Sequence, residues 1–299
     1  MEKQFKKALF IVNPHAGKGL IKNHLLSVVN TLTKEGYLVT TYITQSRGDA
    51  IQVTRERERD YDLVVCSGGD GTLDEIVTGM MQSGFQTKIG YIPAGSTNDF
   101  AKSLKLPSSM KKAAEIVAAD NTYACDVGVF NEDVFVYVAA FGIFTEVSYG
   151  TPQELKNMLG HTAYLLEGMK QIQNIKSYHM KVTSNECVIE GDFIYGMITN
   201  SYSIGGIKNI TGKDVSLNDG LFEVTLIRRP NNLIELNKVL AALVSDKIDA
   251  DCMYTFKTSA IVFESVEEVA WTLDGEFGGK HTKVELFNKQ QAMEIIVKG

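Results

Sequence analysis

The sequence predicts a mixed α/β protein, with an α/β domain over residues 1-124 followed by a mostly antiparallel β domain over residues 125-299. Three observations carry this. Up to about residue 120 short apolar runs alternate with helically spaced segments, the pattern of a parallel sheet covered by helices. Beyond Tyr123 the texture changes to many short strand-like runs, as in a sandwich or flattened barrel. Glycine-rich loops follow three of the early apolar runs, where an open α/β sheet places its ligands.

The elements follow in order. Ala8 to Asn13 is an apolar run that ends in polar loop residues. Leu20 to Lys34 carries Leu20, Leu25, Val28, Val29 and Leu32 at helical spacing. Leu38 to Thr44 is rich in β-branched and aromatic residues, hence a strand. Asp49 to Arg59 reads as a charged, solvated helix, Asp62 to Cys66 as a buried strand, Leu73 to Met81 as a helix and Thr87 to Ile92 as the next strand. Val127 to Phe141 suggests paired strands, and Gln153 to Ile175 a helix. Strands are then expected at Tyr178 to Thr183, Phe193 to Asn200, Leu221 to Arg228, Ala260 to Phe263, Val269 to Leu273, Thr282 to Leu286 and Met293 to Val297, with a helix at Leu233 to Leu243. Chain order leaves open which domain holds the last strand.

Composition narrows the function classes. A formal net charge of -6 argues against nonspecific nucleic-acid binding, which needs a basic surface. Cys66, Cys125, Cys187 and Cys252 form no CxxC pair, so buried reduced thiols are expected rather than zinc or disulfides. The N-terminus lacks a long apolar core with a small-residue cleavage site. No apolar run reaches the ~18 residues of a membrane span. The expected location is the cytoplasm.

The first glycine-rich loop is Asn13-Pro14-His15-Ala16-Gly17-Lys18-Gly19, between a strand and a helix. Its glycines permit close backbone approach and the helix N-terminus favours anions, but the Walker A spacing is absent. The second is Ser67-Gly68-Gly69-Asp70-Gly71-Thr72-Leu73-Asp74-Glu75. Three glycines around one aspartate form a backbone nest for phosphate oxygens. Thr72 is expected to cap the following helix with Glu75 as its capping-box partner. The third, Pro93-Ala94-Gly95-Ser96-Thr97-Asn98-Asp99-Phe100-Ala101, offers two hydroxyls, an amide and a carboxylate. An N-cap cluster is the plainer role for Asn98.

These three loops, in this order and spacing, resemble the catalytic domain of the diacylglycerol kinase superfamily, which includes sphingosine and ceramide kinases. Gly69-Asp70-Gly71-Thr72 alone is shared with NAD kinases and phosphofructokinases. Cys125-Asp126-Val127-Gly128, Lys156 to Tyr164, Asn218-Asp219-Gly220-Leu221 and Leu273-Asp274-Gly275-Glu276 extend the resemblance over nearly the whole chain, and it looks nearest to the soluble bacterial diacylglycerol kinases. It implies a Rossmann-like nucleotide-binding domain followed by a β-sandwich lipid domain. It implies that ATP is held by Asn13, Pro14, His15, Ala16, Gly17, Thr44, Gly68, Gly69, Asp70, Gly71, Thr72, Leu73, Asp74, Glu75, Ser96, Thr97 and Asn98. Ser96 stands where the family usually has threonine, and Asp74 where asparagine is common.

Phosphoryl transfer to an alcohol needs charge neutralisation, alignment and a base. Mg2+ takes few carboxylates plus phosphate oxygens and water, a role assigned to Asp70, Asp99 and Asp126. By resemblance, Asp219 with the carbonyls of Ser216 and Leu221 makes a second, more structural Mg2+ site. The base is Asp274 or Glu276, undecided between the two. The expected reaction is transfer of the ATP γ-phosphate to a lipid hydroxyl, with diacylglycerol first among acceptors and phosphatidic acid the product. The enzyme would meet its lipid as a peripheral visitor at the inner membrane face, and the family suggests a homodimer. The alternatives are a kinase of a sphingoid base, of phosphatidylglycerol or of NAD, and a nucleotide- or lipid-binding regulator without turnover.

Overall fold

A computed structural model of the chain describes residues 5–84, 87–143, 176–204, 207–208, 215–232, 234–235, 238–239 and 252–299. The helix expected at Gln153 to Ile175 lies outside them, as does most of that at Leu233 to Leu243. The chain divides into two compact units, Met1–Val127 with Gln290–Gly299, and Gly128–Lys289.

In the first unit, β1 (Lys6–Val12), β2 (Tyr37–Ile43), β3 (Leu63–Gly68) and β4 (Ile89–Pro93) run parallel in the order β2-β1-β3-β4. Ile295, near the chain's end, pairs in parallel with Ile89, so the last strand returns to this sheet. β3 is buried along its whole length, which explains its apolar run Leu63–Cys66. Helix α1 (Ile21–Lys34) buries Ile21, Val28 and Leu32 along one face. Between the strands come α2 (Asp49–Arg57), α3 (Asp70–Ser83) and the short α4 (Asp99–Ser103). A further helix, α5 (Met110–Ala119), was not anticipated. Ser109 caps it by accepting the Lys112 N–H, and Met110, Ala113, Ala114 and Val117 join the core of Phe10, Val28 and Leu32. Alanines carry little apolar signal, so its periodicity is faint in sequence.

The second unit is dominated by antiparallel strands. They are β5 (Thr122–Phe130, begun in the first unit), β6 (Asp133–Phe135), β7 (Val138–Gly142), β8 (Tyr178–Ser184), β9 (Val188–Thr199), the short pair β10 (Ser203–Ile204) and β11 (Ile207–Lys208), β12 (Phe222–Arg228), β13 (Met253–Thr258), β14 (Ala260–Leu273) and β15 (Glu276–Ile296). The order is β13-β12-β9-β7-β14-β15, and β8 pairs with both β9 and β14. Strands β9, β7, β14 and β8 thus close on themselves. Inside, Trp271 meets Phe130, Phe141 and Phe263 with ring centroids 4.8–5.2 Å apart. The separate runs expected at Ala260 and Val269 are one strand, broken in register by a bulge between Glu264 and Val269. Thr282 to Leu286 and Met293 to Val297 likewise belong to one long strand. β13 was missed, because its alternation of Tyr254, Phe256 and Lys257 is weak.

Candidate active site

Parallel strands deliver the three glycine-rich loops to one edge of the first unit's sheet. Backbone bonds stitch them together: Asn13 N–H donates to the Ser67 carbonyl at 2.9 Å, and Ala94 N–H to the Gly68 carbonyl at 2.7 Å. The glycines are required by proximity. A methyl group at Gly95 would lie 2.6 Å from the Gly69 Cα and 2.7 Å from Asn98 Oδ1. One at Gly17, itself at φ +55, would lie 2.5 Å from the Ala94 carbonyl oxygen. A β-carbon at Gly68 would overlap the Thr72 side chain. The result is a backbone-lined cradle at the N-terminus of α3, a helix long enough to present unpaired N–H groups to an anion.

Several side chains hold this cradle rather than cap it as expected. Thr72 is not the N-cap of α3: the helix starts at Asp70 behind Gly69, and Thr72 Oγ1 accepts from Asn13 Nδ2 at 3.0 Å. Glu75 is not its capping-box partner. Its two carboxylate oxygens accept the N–H groups of Gly48 (2.8 Å) and Ala50 (3.2 Å), capping α2 instead. Sequence spacing cannot see this, because the recipient helix starts 26 residues earlier, at Asp49. Asn98, at φ 51, folds its amide back onto both backbone groups of Gly95 (2.9 and 2.8 Å). Thr44 is buried, its hydroxyl turned to the Val12 carbonyl. Asn13 Oδ1 accepts the His15 N–H. Ala16 and Leu73 are buried, Ser96 is exposed, and Pro14, Gly71, Asp74 and Thr97 are half-buried along the same loops.

Asp70 accepts the Asp99 N–H (2.9 Å) and the Phe100 N–H (3.3 Å), tying the start of α3 to the start of α4. Burial raises its carboxyl above the ordinary range; the two N–H donors oppose that rise, and the nearby Asp99 adds to it. Asp99 is itself buried and pairs with Lys102 Nζ at 3.1 Å. Lys102 escaped the sequence reading, although its i,i+3 spacing from Asp99 was the available signal. Asp126 is fully buried on β5, where it accepts the Gln291 N–H at 2.8 Å and so anchors the returning C-terminal segment. Among the described residues no three His, Cys, Asp or Glu side chains gather as a ligand set. The thiols of Cys66 and Cys125 are pushed up by burial, in keeping with inert core cysteines.

In the second unit the turn between β14 and β15 separates the two candidate bases. Asp274 (φ 50) and Gly275 (φ 85) form a two-residue hairpin turn, and Leu273 pairs with Glu276. Asp274 points inward. Its Oδ2 accepts the Val136 N–H at 2.6 Å, and its Oδ1 accepts those of Tyr137 (3.0 Å) and Val138 (2.9 Å). Its own N–H donates to the Val138 carbonyl, and the Tyr137 hydroxyl donates to its carbonyl. Glu276 is exposed. The sequence shows two acids around a glycine; the structure makes one a buried clasp and leaves the other facing solvent.

At the remaining predicted site, Asp219 Oδ1 accepts the Leu221 N–H in a tight turn, with Gly220 at φ 77. Ser216 Oγ donates to Asn218 Oδ1. Asp219 Oδ2 faces Lys257 Nζ at 3.5 Å, and the same ammonium lies 3.2 Å from Glu223 Oε1. Nothing in the sequence announced Lys257, since only strand register brings it here.

Comparison with known proteins places the chain among relatives of one family. The family described as the diacylglycerol kinase catalytic domain matches residues 7–130. A diacylglycerol kinase of Staphylococcus haemolyticus (strain JCSC1435) is 34% identical over 277 residues, which are 92% of this chain and 83% of that protein. One from Bacillus subtilis (strain 168) is 33% identical over 277 residues, with 92% and 91% covered. A crystal structure of a Bacillus anthracis (strain Sterne) protein described as a diacylglycerol kinase has a TM-score of 0.82 at 25% identity, covering 99% of this chain and 98% of that one. The chain belongs to the diacylglycerol kinase family.

Proposed function

We propose that the protein transfers the γ-phosphate of ATP to the free hydroxyl of diacylglycerol, giving phosphatidic acid. The observation that carries this is the glycine cradle, in which Gly68 and Gly95 leave no room for a side chain and Asp70 is locked across the loops. The first unit serves as a Rossmann-like nucleotide-binding domain and the second as a β-sandwich that takes the lipid. Among the described residues no helix is long and apolar enough to cross a membrane. The acceptor lies in a bilayer, so the enzyme meets it at the membrane surface.

In the cradle, backbone N–H groups of the loops and of the α3 N-terminus bind triphosphate oxygens and align the γ-phosphoryl group. Mg2+ takes few protein ligands, and Asp70 would be its carboxylate here, Asp99 being paired with Lys102. When bound, Mg2+ supplies charge neutralisation at the transferring phosphoryl group. Asp70 orders the α4 loop through the Asp99 and Phe100 N–H groups. Glu276 is the base: its exposed carboxylate accepts the hydroxyl proton as the new P–O bond forms. Asp274, already accepting three N–H groups, holds the turn on which Glu276 stands.

The test is γ-phosphate transfer from ATP to a panel of diacylglycerol, sphingoid base and phosphatidylglycerol in mixed micelles, with NAD as a water-soluble control. Diacylglycerol is expected to be the preferred acceptor. Transfer to NAD and to no lipid would overturn the proposal.

A further inference from the structure

The turn at Asp219 does not fit a metal-binding role as this chain builds it. Asp219, Glu223 and Lys257 form a compact ionic group. Glu223 and Lys257 face each other directly across the antiparallel pair β12–β13, so their side chains leave the same face of the sheet. The Lys257 ammonium lies 3.2 Å from Glu223 Oε1 and 3.5 Å from Asp219 Oδ2, bridging both carboxylates. The Glu223 side chain is 7% exposed, whereas those of Asp219 and Lys257 are 30% and 34% exposed. A carboxylate buried this deeply depends on its counter-charge. Lys257 is therefore held by Glu223, with its ammonium 3.5 Å from Asp219 Oδ2.

A divalent ion ligated by the Asp219 carboxylate would stand ~2 Å from an oxygen and within a few ångström of a fixed ammonium. We infer that Lys257 is a built-in cation at this turn: it supplies the positive charge that a structural divalent ion would otherwise supply to Asp219, and makes the turn independent of metal. The inference is separate from the proposed phosphoryl transfer, because folding and metal binding report on it without turnover.

Two measurements on the full-length chain without nucleotide test it. Mn2+ binding is followed by electron paramagnetic resonance for the unmodified protein and for Asp219→Asn. The two are expected to bind Mn2+ alike. Mn2+ binding that Asp219→Asn abolishes would overturn the inference. Thermal unfolding is then compared in EDTA and in excess MgCl2 for the unmodified protein and for Lys257→Met. The unmodified protein should melt at the same temperature in both, whereas Lys257→Met should melt several degrees lower in EDTA and recover in MgCl2. A Lys257→Met protein that is destabilised and not rescued by Mg2+ counts against the metal-replacing role. If Lys257→Met fails to fold at all, the Mn2+ comparison decides alone.

Discussion

Replacing Asp274 by asparagine separates the two acids of the β14–β15 turn. The native carboxylate accepts three backbone N–H groups at 2.6–3.0 Å in a buried position. Asparagine keeps one acceptor oxygen and brings an NH2 group against N–H donors. At least one charge-assisted bond is lost, and each is worth about 1.5–3 kcal/mol. Allowing for the donor–donor conflict, the cost is about 3 kcal/mol, or roughly 6–12 °C in the melting of a unit this size. Glu276→Gln changes an exposed carboxylate and should lower the melting temperature less than Asp274→Asn. Its turnover should fall about a hundred- to ten-thousand-fold, the contribution of a positioned base. Both variants should still bind ATP, because the nucleotide loops lie on other elements. The assay pairs calorimetric melting with kcat across pH on diacylglycerol micelles. Turnover should be nearly abolished in Glu276→Gln and persist, at reduced height, in Asp274→Asn. Full turnover in Glu276→Gln, or a native melting temperature in Asp274→Asn, would refute the division of labour.

Gly95→Ala places a methyl group 2.6 Å from the Gly69 Cα; it should cost about 1–3 kcal/mol and raise the KM for ATP, checked by urea unfolding and initial rates. Glu75→Ala strips two N–H groups at the start of α2 of their acceptor, and about 1–2 kcal/mol of stability should be lost, again by urea unfolding. Glu58 is fully buried beside Ser83, whose hydroxyl donates to it, and burial lifts its pKa from 4.5 to about 7. A carboxyl raised in this way favours the folded state below its ordinary pKa, and that benefit is lost as pH climbs from 4.5 through 7. Glu58→Gln should therefore stabilise the protein at pH 8 by at most about 3 kcal/mol and change little at pH 4, as read by denaturant unfolding at both values.

The parallel α/β start was legible in the sequence, because the buried stretches Ala8–Val12, Leu63–Cys66 and Ile89–Ile92 lie inside the sheet and are almost wholly apolar. The sequence by itself determined the glycine loops and the Asp274-Gly275 turn, because those backbone conformations and close approaches restrict the residue types that fit. Helix α5 and strand β13 were faint, since alanine and mixed alternation give little periodic signal. Tertiary structure alone decided what the acids do. Glu75 caps a helix far from it in the chain, and Asp126 holds the returning strand. On one turn Asp274 is buried among N–H donors and Glu276 is exposed, and Lys257 reaches Asp219. A carboxylate's role depends on which N–H groups and cations stand within about 3 Å of it, and in each of these cases strand register or the packing of distant segments puts them there.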